Sequence, residues 1–193
     1  FQGNAKGNVV AYDAKTGEQE WSFFGQTGIV AAPMTYSVNG EQYVAVMAGW
    51  GGAVPLVVGE FMSEAVKTNT NRLLVFKLGG DKTLPALEAK PRQLSLPEMT
   101  ASAEEVEQGK ALYHTFCVSC HGDGAVSGGV VPDLRYASAD TFGFWEAIVV
   151  NGLKAKNGMA AFKSVLSVDQ ADAIKAYVIK RGYELQNAQA ASD

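Results

Sequence analysis

Two patterns of apolar residues divide the chain. Up to residue 78 there are short runs rich in β-branched and aromatic residues between turn signals: Val9–Tyr12, Glu18–Phe24, Val30–Val38, Gln42–Ala48 and Arg72–Leu78. They predict five strands. Asp13-Ala14-Lys15-Thr16-Gly17 suits a tight turn after the first strand, and Asn39-Gly40, where both residues tolerate positive φ, predicts a second hairpin. From Ser102 the apolar residues recur instead at three- and four-residue steps. Ser102-Ala103-Glu104-Glu105 reads as a capping box, followed by Val106, Gly109, Leu112, Tyr113 and Phe116 on one face. A second helix over Thr141–Val150 presents Phe142, Trp145, Ile148 and Val149 and ends at Asn151-Gly152. Ser167-Val168-Asp169-Gln170 is another capping box, opening a helix through Ile174, Tyr177 and Val178 that is expected to stop at Gly182. Between the two patterns, residues 79–101 hold Pro85, Pro91 and Pro97 among small and polar residues, which predicts an extended tether. The expected organisation is β over 1–78, a linker over 79–101 and an all-α domain over 102–193.

Composition narrows the class. The 193 residues are 47% hydrophobic and 19% charged, a globular ratio. A net charge of −4 lacks the basic footprint of a nucleic-acid binder, so no nucleic acid is expected as a partner. The longest uncharged run, Gln42 to Gly59, contains Gly49, Gly51, Gly52 and Pro55 and reads as strand plus loop; no transmembrane segment is expected. The chain begins Phe1-Gln2-Gly3, without signal-peptide features, and reads as a fragment of something longer. With 2 Cys and 2 His there is no disulfide framework, and any metal site must draw on few soft ligands.

Both cysteines fall in Cys117-Val118-Ser119-Cys120-His121, the spacing of covalent c-type haem attachment. Two thiols three positions apart at a helix end can each bond one vinyl group of a single porphyrin, and the next residue then presents its imidazole to the iron. A zinc site needs about four ligands, and His114 is the only other histidine. A thioredoxin-type dithiol sits at a helix N-terminus, whereas this pair ends a helix. A haem iron held by His121 has a second axial position. Among 5 methionines, Met34, Met47 and Met62 lie in the β segment and Met99 in the linker, while Met159 follows Gly158 in a loop from which a thioether can swing to the iron. Its alternative role is a core gap-filler. His114 reads as a helix-face residue, with bis-histidine ligation as its alternative.

Ala11, Asp13, Gly17 and Trp21 follow A-x-D-x-x-x-G-x-x-x-W, which resembles the tryptophan-docking motif of eight-bladed quinoprotein dehydrogenase propellers. From Gly109 on, the chain resembles the cytochrome c domain of quinohaemoprotein alcohol dehydrogenases. The matching pieces are Gly109-x-x-Leu112-Tyr113, Cys117-x-x-Cys120-His121-Gly122, Val131-Pro132-Asp133-Leu134-Arg135, Ile148-Val149-x-x-Gly152, Gly158-Met159 with Phe162, and Ile174-x-x-Tyr177. The departure is alanine after Met159, where proline is common. Together the two resemblances cover nearly the whole chain in the family's order.

The resemblance implies the last strands of a propeller followed by a cytochrome c domain, with earlier blades absent from this chain. It implies one haem c bound through Cys117 and Cys120 with His121 and Met159 as axial ligands, and pyrroloquinoline quinone (PQQ) with calcium in the complete enzyme. It also implies electron transfer one at a time from reduced PQQ to an external acceptor, either a small redox protein or a quinone. The implied setting is a periplasmic oxidoreductase acting on an alcohol, with the rest of that enzyme as partner; the catalytic site lies outside this chain. Pro132 matches the proline whose carbonyl accepts from the ligand histidine, its alternative being an ordinary turn proline. Arg135 matches a propionate partner, its alternative being a solvated arginine. Trp145 and Tyr177 match core aromatics on the haem or on Gly109. Trp50, Gly51 and Gly52 fall where family loops approach PQQ and the substrate channel, or else pack between blades. Lys154 and Lys156 could steer an acidic acceptor. The same residues would serve a sugar- or polyvinyl-alcohol-oxidising quinoprotein, or a stand-alone c-type carrier.

Overall fold

A computed structural model of the chain describes residues 1–51, 54–57, 59, 70–87 and 92–191. It divides into two compact units. One comprises Phe1–Lys90 with Gly128–Val130, the other Pro91–Ser127 with Val131–Asp193.

The first unit holds β1 (Gln2–Gly3), β2 (Asn8–Tyr12), β3 (Gln19–Phe24), β4 (Met34–Val38), β5 (Glu41–Ala48), the single turn α1 (Val54–Val57) and β6 (Arg72–Lys77). They form two antiparallel sheets ordered β1-β2-β3 and β4-β5-β6. The β2–β3 hairpin is held by its turn chemistry: the Asp13 carboxylate accepts the Lys15 and Thr16 backbone N–H groups, each at 2.8 Å. Those two donors hold the Asp13 carboxyl below its usual range. Ala11 pairs opposite Trp21, so the motif residues shape one hairpin. Asn39 (φ 53°) and Gly40 (φ 80°) make the tight turn between β4 and β5 that the sequence predicts. One side of these strands packs Val9, Ile29, Val46, Ala48 and Leu74 into a small core.

Blades of an eight-bladed propeller were the expectation for this β part, and the observed sheets overturn it. Each sheet closes at three strands, and among the described residues no four-stranded blade forms. The added strand the sequence did not predict, β1, is two residues long and lies on the far side of β2. No further strand pairs with β4 or β6 among the described residues.

The second unit is helical: α2 (Ala103–Phe116), the single turn α3 (Val118–His121), α4 (Ala139–Gly143), α5 (Trp145–Val149) and α6 (Val168–Ala190). Both predicted capping boxes form, with Ser102 and Glu105 opening α2 and Ser167 and Gln170 opening α6. The predicted middle helix is broken at Phe144, whose backbone (φ −99°, ψ 20°) leaves the helical region between α4 and α5. The long helix passes Gly182 instead of ending there. The space a Cβ would fill at Gly182 is taken by the Leu96 side chain, so this glycine serves close packing and not termination. Leu96 belongs to residues 92–100, part of the expected tether, which instead line the helical unit: Tyr183 Oη donates to the Pro97 carbonyl at 3.1 Å and Met99 packs on the core. Gly109 lets α2 meet the backbone of α6 at Ala173, where a Cβ would overlap the carbonyl. The core between these helices contains Tyr113, Ile174, Tyr177 and Val178.

Candidate haem site

The site is assembled where α2 gives way to α3. Cys117 caps α2 in a helical conformation, and its N–H still bonds to the Tyr113 carbonyl at 2.8 Å. The next turn carries Cys120 and His121 before Gly122 (φ 77°, ψ 163°) directs the chain away. Helical continuity therefore puts Cys117, Cys120 and His121 within one turn of each other. Cys117 is buried and Cys120 exposed. Burial and the neighbouring Cys120 push the Cys117 thiol up to about 12. A thiol raised in this way is the opposite of the activated nucleophile a dithiol oxidoreductase requires. Among the described residues no group of three or more His, Cys, Asp or Glu could hold a bare metal ion, which removes the zinc alternative for them.

His121 is the informative residue. Its Nδ1 is buried without a hydrogen bond of good geometry. Burial depresses the imidazole's pKa, and the nearby Pro132 carbonyl opposes that shift. A neutral, desolvated imidazole beside a backbone carbonyl is the state in which histidine binds a metal. The fit to haem extends to the apolar surroundings. Cys117 lies in the same apolar cluster against which Phe116, Leu134, Met159 and Phe162 pack. Phe116 and Phe162 meet edge to face at 6.3 Å. Met159 follows Gly158, which is left-handed (φ 91°), and its N–H reaches the Lys154 carbonyl at 3.3 Å.

The other expected residues make the following contacts. Arg135, expected at a propionate, forks onto Asp133 with Nε–Oδ1 at 3.0 Å and Nη2–Oδ2 at 2.7 Å, both side chains largely buried. Trp145 stacks on Phe142 and donates Nε1–H to the Ala171 carbonyl at 2.7 Å. Tyr177 packs on Tyr113 at 5.2 Å. In the sheet unit Trp50 is 1% exposed, and its ring lies where a Cβ on Gly28 would be 2.6 Å away, so the indole is a core residue of its own unit. Gly51 is exposed with open space beside it, and Gly52 and Met62 lie outside the described residues.

Sequence reasoning missed the residues that grip the segment after His121. Tyr113 Oη donates to the Gly122 carbonyl at 2.7 Å. His114 spans the Lys110 carbonyl and the Asp123 carboxylate, 2.8 Å each. Arg181 Nε–H donates to the Gly124 carbonyl at 2.8 Å. The one advance signal was Gly122-Asp123-Gly124 itself, a stretch that cannot continue a helix.

A helix bearing C-x-x-C-H, a second long helix crossing it at glycine, and a methionine loop on the same core define a c-type cytochrome domain. The family described as "Cytochrome C oxidase, cbb3-type, subunit III" matches residues 104–178. Over nearly its whole length the chain is also similar to "Quinohemoprotein alcohol dehydrogenase ADH IIB" of Pseudomonas putida, 46% identical over 186 residues, covering 95% of this chain and 27% of that protein. The solved structure of ADHIIG from the same species superposes with a TM-score of 0.84 at 39% identity, covering 96% of this chain and 27% of that one. The quinohemoprotein alcohol dehydrogenase of Comamonas testosteroni gives a TM-score of 0.74 at 35% identity, covering 95% and 26%. The chain is thus similar, along nearly its whole length, to a part of quinohaemoprotein alcohol dehydrogenases, and its helical unit carries the match to the cytochrome family. It spans about a quarter of the length of these relatives. No helix among the described residues is long and apolar enough to cross a membrane.

Proposed function

We propose that this chain is the electron-transfer part of a PQQ-dependent alcohol dehydrogenase, holding haem c through thioethers from Cys117 and Cys120 with His121 and Met159 as axial ligands. The observation that carries this is His121, a partly buried imidazole whose buried Nδ1 is unsatisfied beside the Pro132 carbonyl, one position after the second cysteine. A proton on Nδ1, turned toward that carbonyl, leaves Nε2 bare for iron. When bound, haem supplies reversible one-electron chemistry, and in the complete enzyme PQQ with calcium supplies the two-electron oxidation of an alcohol to an aldehyde.

The chain's own residues keep the iron's surroundings constant. α3 locks His121 and both sulfurs to one rigid turn. The Met159 loop is pinned by its bond to Lys154 and by the Phe162 N–H on the Val149 carbonyl at 2.9 Å, which would limit movement of the loop. Phe116, Phe162 and Leu134, packed on the cluster that holds Cys117, would keep water from a bound porphyrin. Arg135, forked on Asp133, braces the loop that carries the Pro132 carbonyl. Alcohol as substrate is supported by the relatives, among them "1-butanol dehydrogenase (cytochrome c)" of Thauera butanivorans, 35% identical over 180 residues. The partners are the rest of the dehydrogenase and an external acceptor that takes electrons singly, and the location is periplasmic, where c-type haem is attached.

The test is an absorption spectrum of the haem-loaded protein with and without Met159→Leu. The far-red sulfur-to-iron band is expected in the native protein and absent in the variant. A native band that survives the substitution removes Met159 from the iron.

A further inference from the structure

We infer that Tyr113, His114 and Arg181 are positioning residues that hold the three consecutive residues after the iron ligand, and so fix the orientation of His121. The inference rests on the haem reading proposed above. Gly122, Asp123 and Gly124 are each gripped by a different side chain: Tyr113 Oη on the Gly122 carbonyl at 2.7 Å, His114 on the Asp123 carboxylate at 2.8 Å, and Arg181 Nε–H on the Gly124 carbonyl at 2.8 Å. Two of the three come from α2 and one from α6, so the grip ties the segment to both long helices.

The segment needs an external hold. Gly122 (φ 77°), Gly124 (φ 59°) and Ala125 (φ 62°) are all left-handed, and Ala125 is a buried residue with a Cβ in a region L-residues avoid. Such backbone has no repeating hydrogen bonds of its own and persists where its surroundings over-determine it. The Gly122 N–H bonds to the Val118 carbonyl and the Val126 N–H to the Asp123 carbonyl, each at 3.0 Å, but the Gly122 and Gly124 carbonyls take side-chain donors, Tyr113 and Arg181. Tyr113 is 0% exposed, and burial raises its pKa, so the hydroxyl remains a proton donor. His114 faces two acceptors, the Lys110 carbonyl at Nδ1 and Asp123 at Nε2, so only the doubly protonated ring satisfies both. Arg181 is steadied in turn by Glu184. Because His121 precedes Gly122 directly, play in this segment becomes rotation of the ligand ring.

The experiment compares haem-loaded wild type with Tyr113→Phe/Arg181→Lys, which keeps the buried ring and the charge but removes two of the three bonds. The readouts are covalent haem per chain, the midpoint potential and the Fe–His stretching vibration. The expected result is unchanged haem per chain with a shifted potential and a broadened, displaced Fe–His vibration. The surface control Thr115→Ala, on the same helix, leaves both at wild-type values. If the double variant does not accumulate, His114→Gln at its partly exposed position is read the same way. Haem-loaded variants with the wild-type potential and vibration overturn the positioning role alone. Wild-type protein with no covalent haem overturns the functional reading as well.

Discussion

The two units bury their apolar residues in contrasting ways. In the helical unit two long helices meet at Gly109 and Ala173 and enclose Tyr113, Ile174 and Val178, each no more than 1% exposed. In the sheet unit one side of β4-β5-β6 buries Val44, Val46 and Leu74. The other side leaves Met34, Tyr36, Met47, Leu73 and Val75 exposed, from 39% to 61%. A single twisted sheet has two faces, and three strands can cover only one of them. A pair of crossed helices turns both apolar stripes inward. The residues proposed for haem, Cys117, Cys120, His121 and Met159, all belong to the helical unit.

The sharpest way to break that comparison is to remove the attachment chemistry. Cys117→Ser/Cys120→Ser is expected to lose all acid-acetone-resistant haem, and amide exchange should rise across α2, α3 and α6 while β2, β3 and β5 keep their protection. A matching rise in the sheets would show that the units do not behave separately.

Next come the two close approaches. Gly109→Ala drives a Cβ into the Ala173 backbone and is expected to cost about 3 kcal/mol, read as thermal unfolding of the helical unit. Gly28→Ala pushes against the buried Trp50 ring, a side chain and not backbone, and is expected to cost about 2 kcal/mol in the sheet unit. Equal effects of both on both units would erase the distinction.

Smaller is the loss of one hydroxyl. Tyr113→Phe leaves the buried Gly122 carbonyl unpaired and should cost about 1–2 kcal/mol in denaturant unfolding. Tyr36→Phe, on the exposed sheet face against Tyr43, should stay within about 0.5 kcal/mol.

The smallest effect is electrostatic. The Lys110 carbonyl and then Asp123 raise the pKa of His114, against opposing pulls from partial burial and the Lys110 charge. With the folded pKa above the ordinary value of about 6.5, its stabilisation is fully present below that value and is lost as pH rises through the folded pKa. Asp13 in the sheet unit has the opposite sign: its depressed carboxyl stabilises above about 3.9 and loses this as pH falls through the folded value. Proton NMR titration of the His114 ring is the check, and a midpoint at or below the ordinary value would refute the pairing.

Much of the architecture was legible because it depends on neighbours in sequence. Both capping boxes, the Asn39-Gly40 turn and the Asp13 turn are contacts within about four residues, and their side-chain chemistry is specific. Cys117, Cys120 and His121 were legible for the same reason, since one helical turn sets their spacing. The end placed at Gly182 was misread, and the choice between packing and a loop role for Trp50 stayed open, because their surroundings are distant in the chain. A glycine late in a helical pattern looks like a stop until Leu96 is found in its Cβ position. A tryptophan between glycines looks like a loop residue until Gly28 is found beneath its ring.

The amino-acid sequence by itself determined the strand and helix runs, their caps and the turn that gathers Cys117, Cys120 and His121, because these arise from backbone and side-chain interactions over a few residues. Tertiary structure alone decided that the described strands form two sheets of three, that α6 continues to Ala190, that Arg181 reaches Gly124, and that Tyr183 reaches Pro97. Those outcomes depend on which surfaces meet across long sequence separations, 57 residues for Arg181 and Gly124 and 86 for Tyr183 and Pro97, and no local pattern encodes that choice.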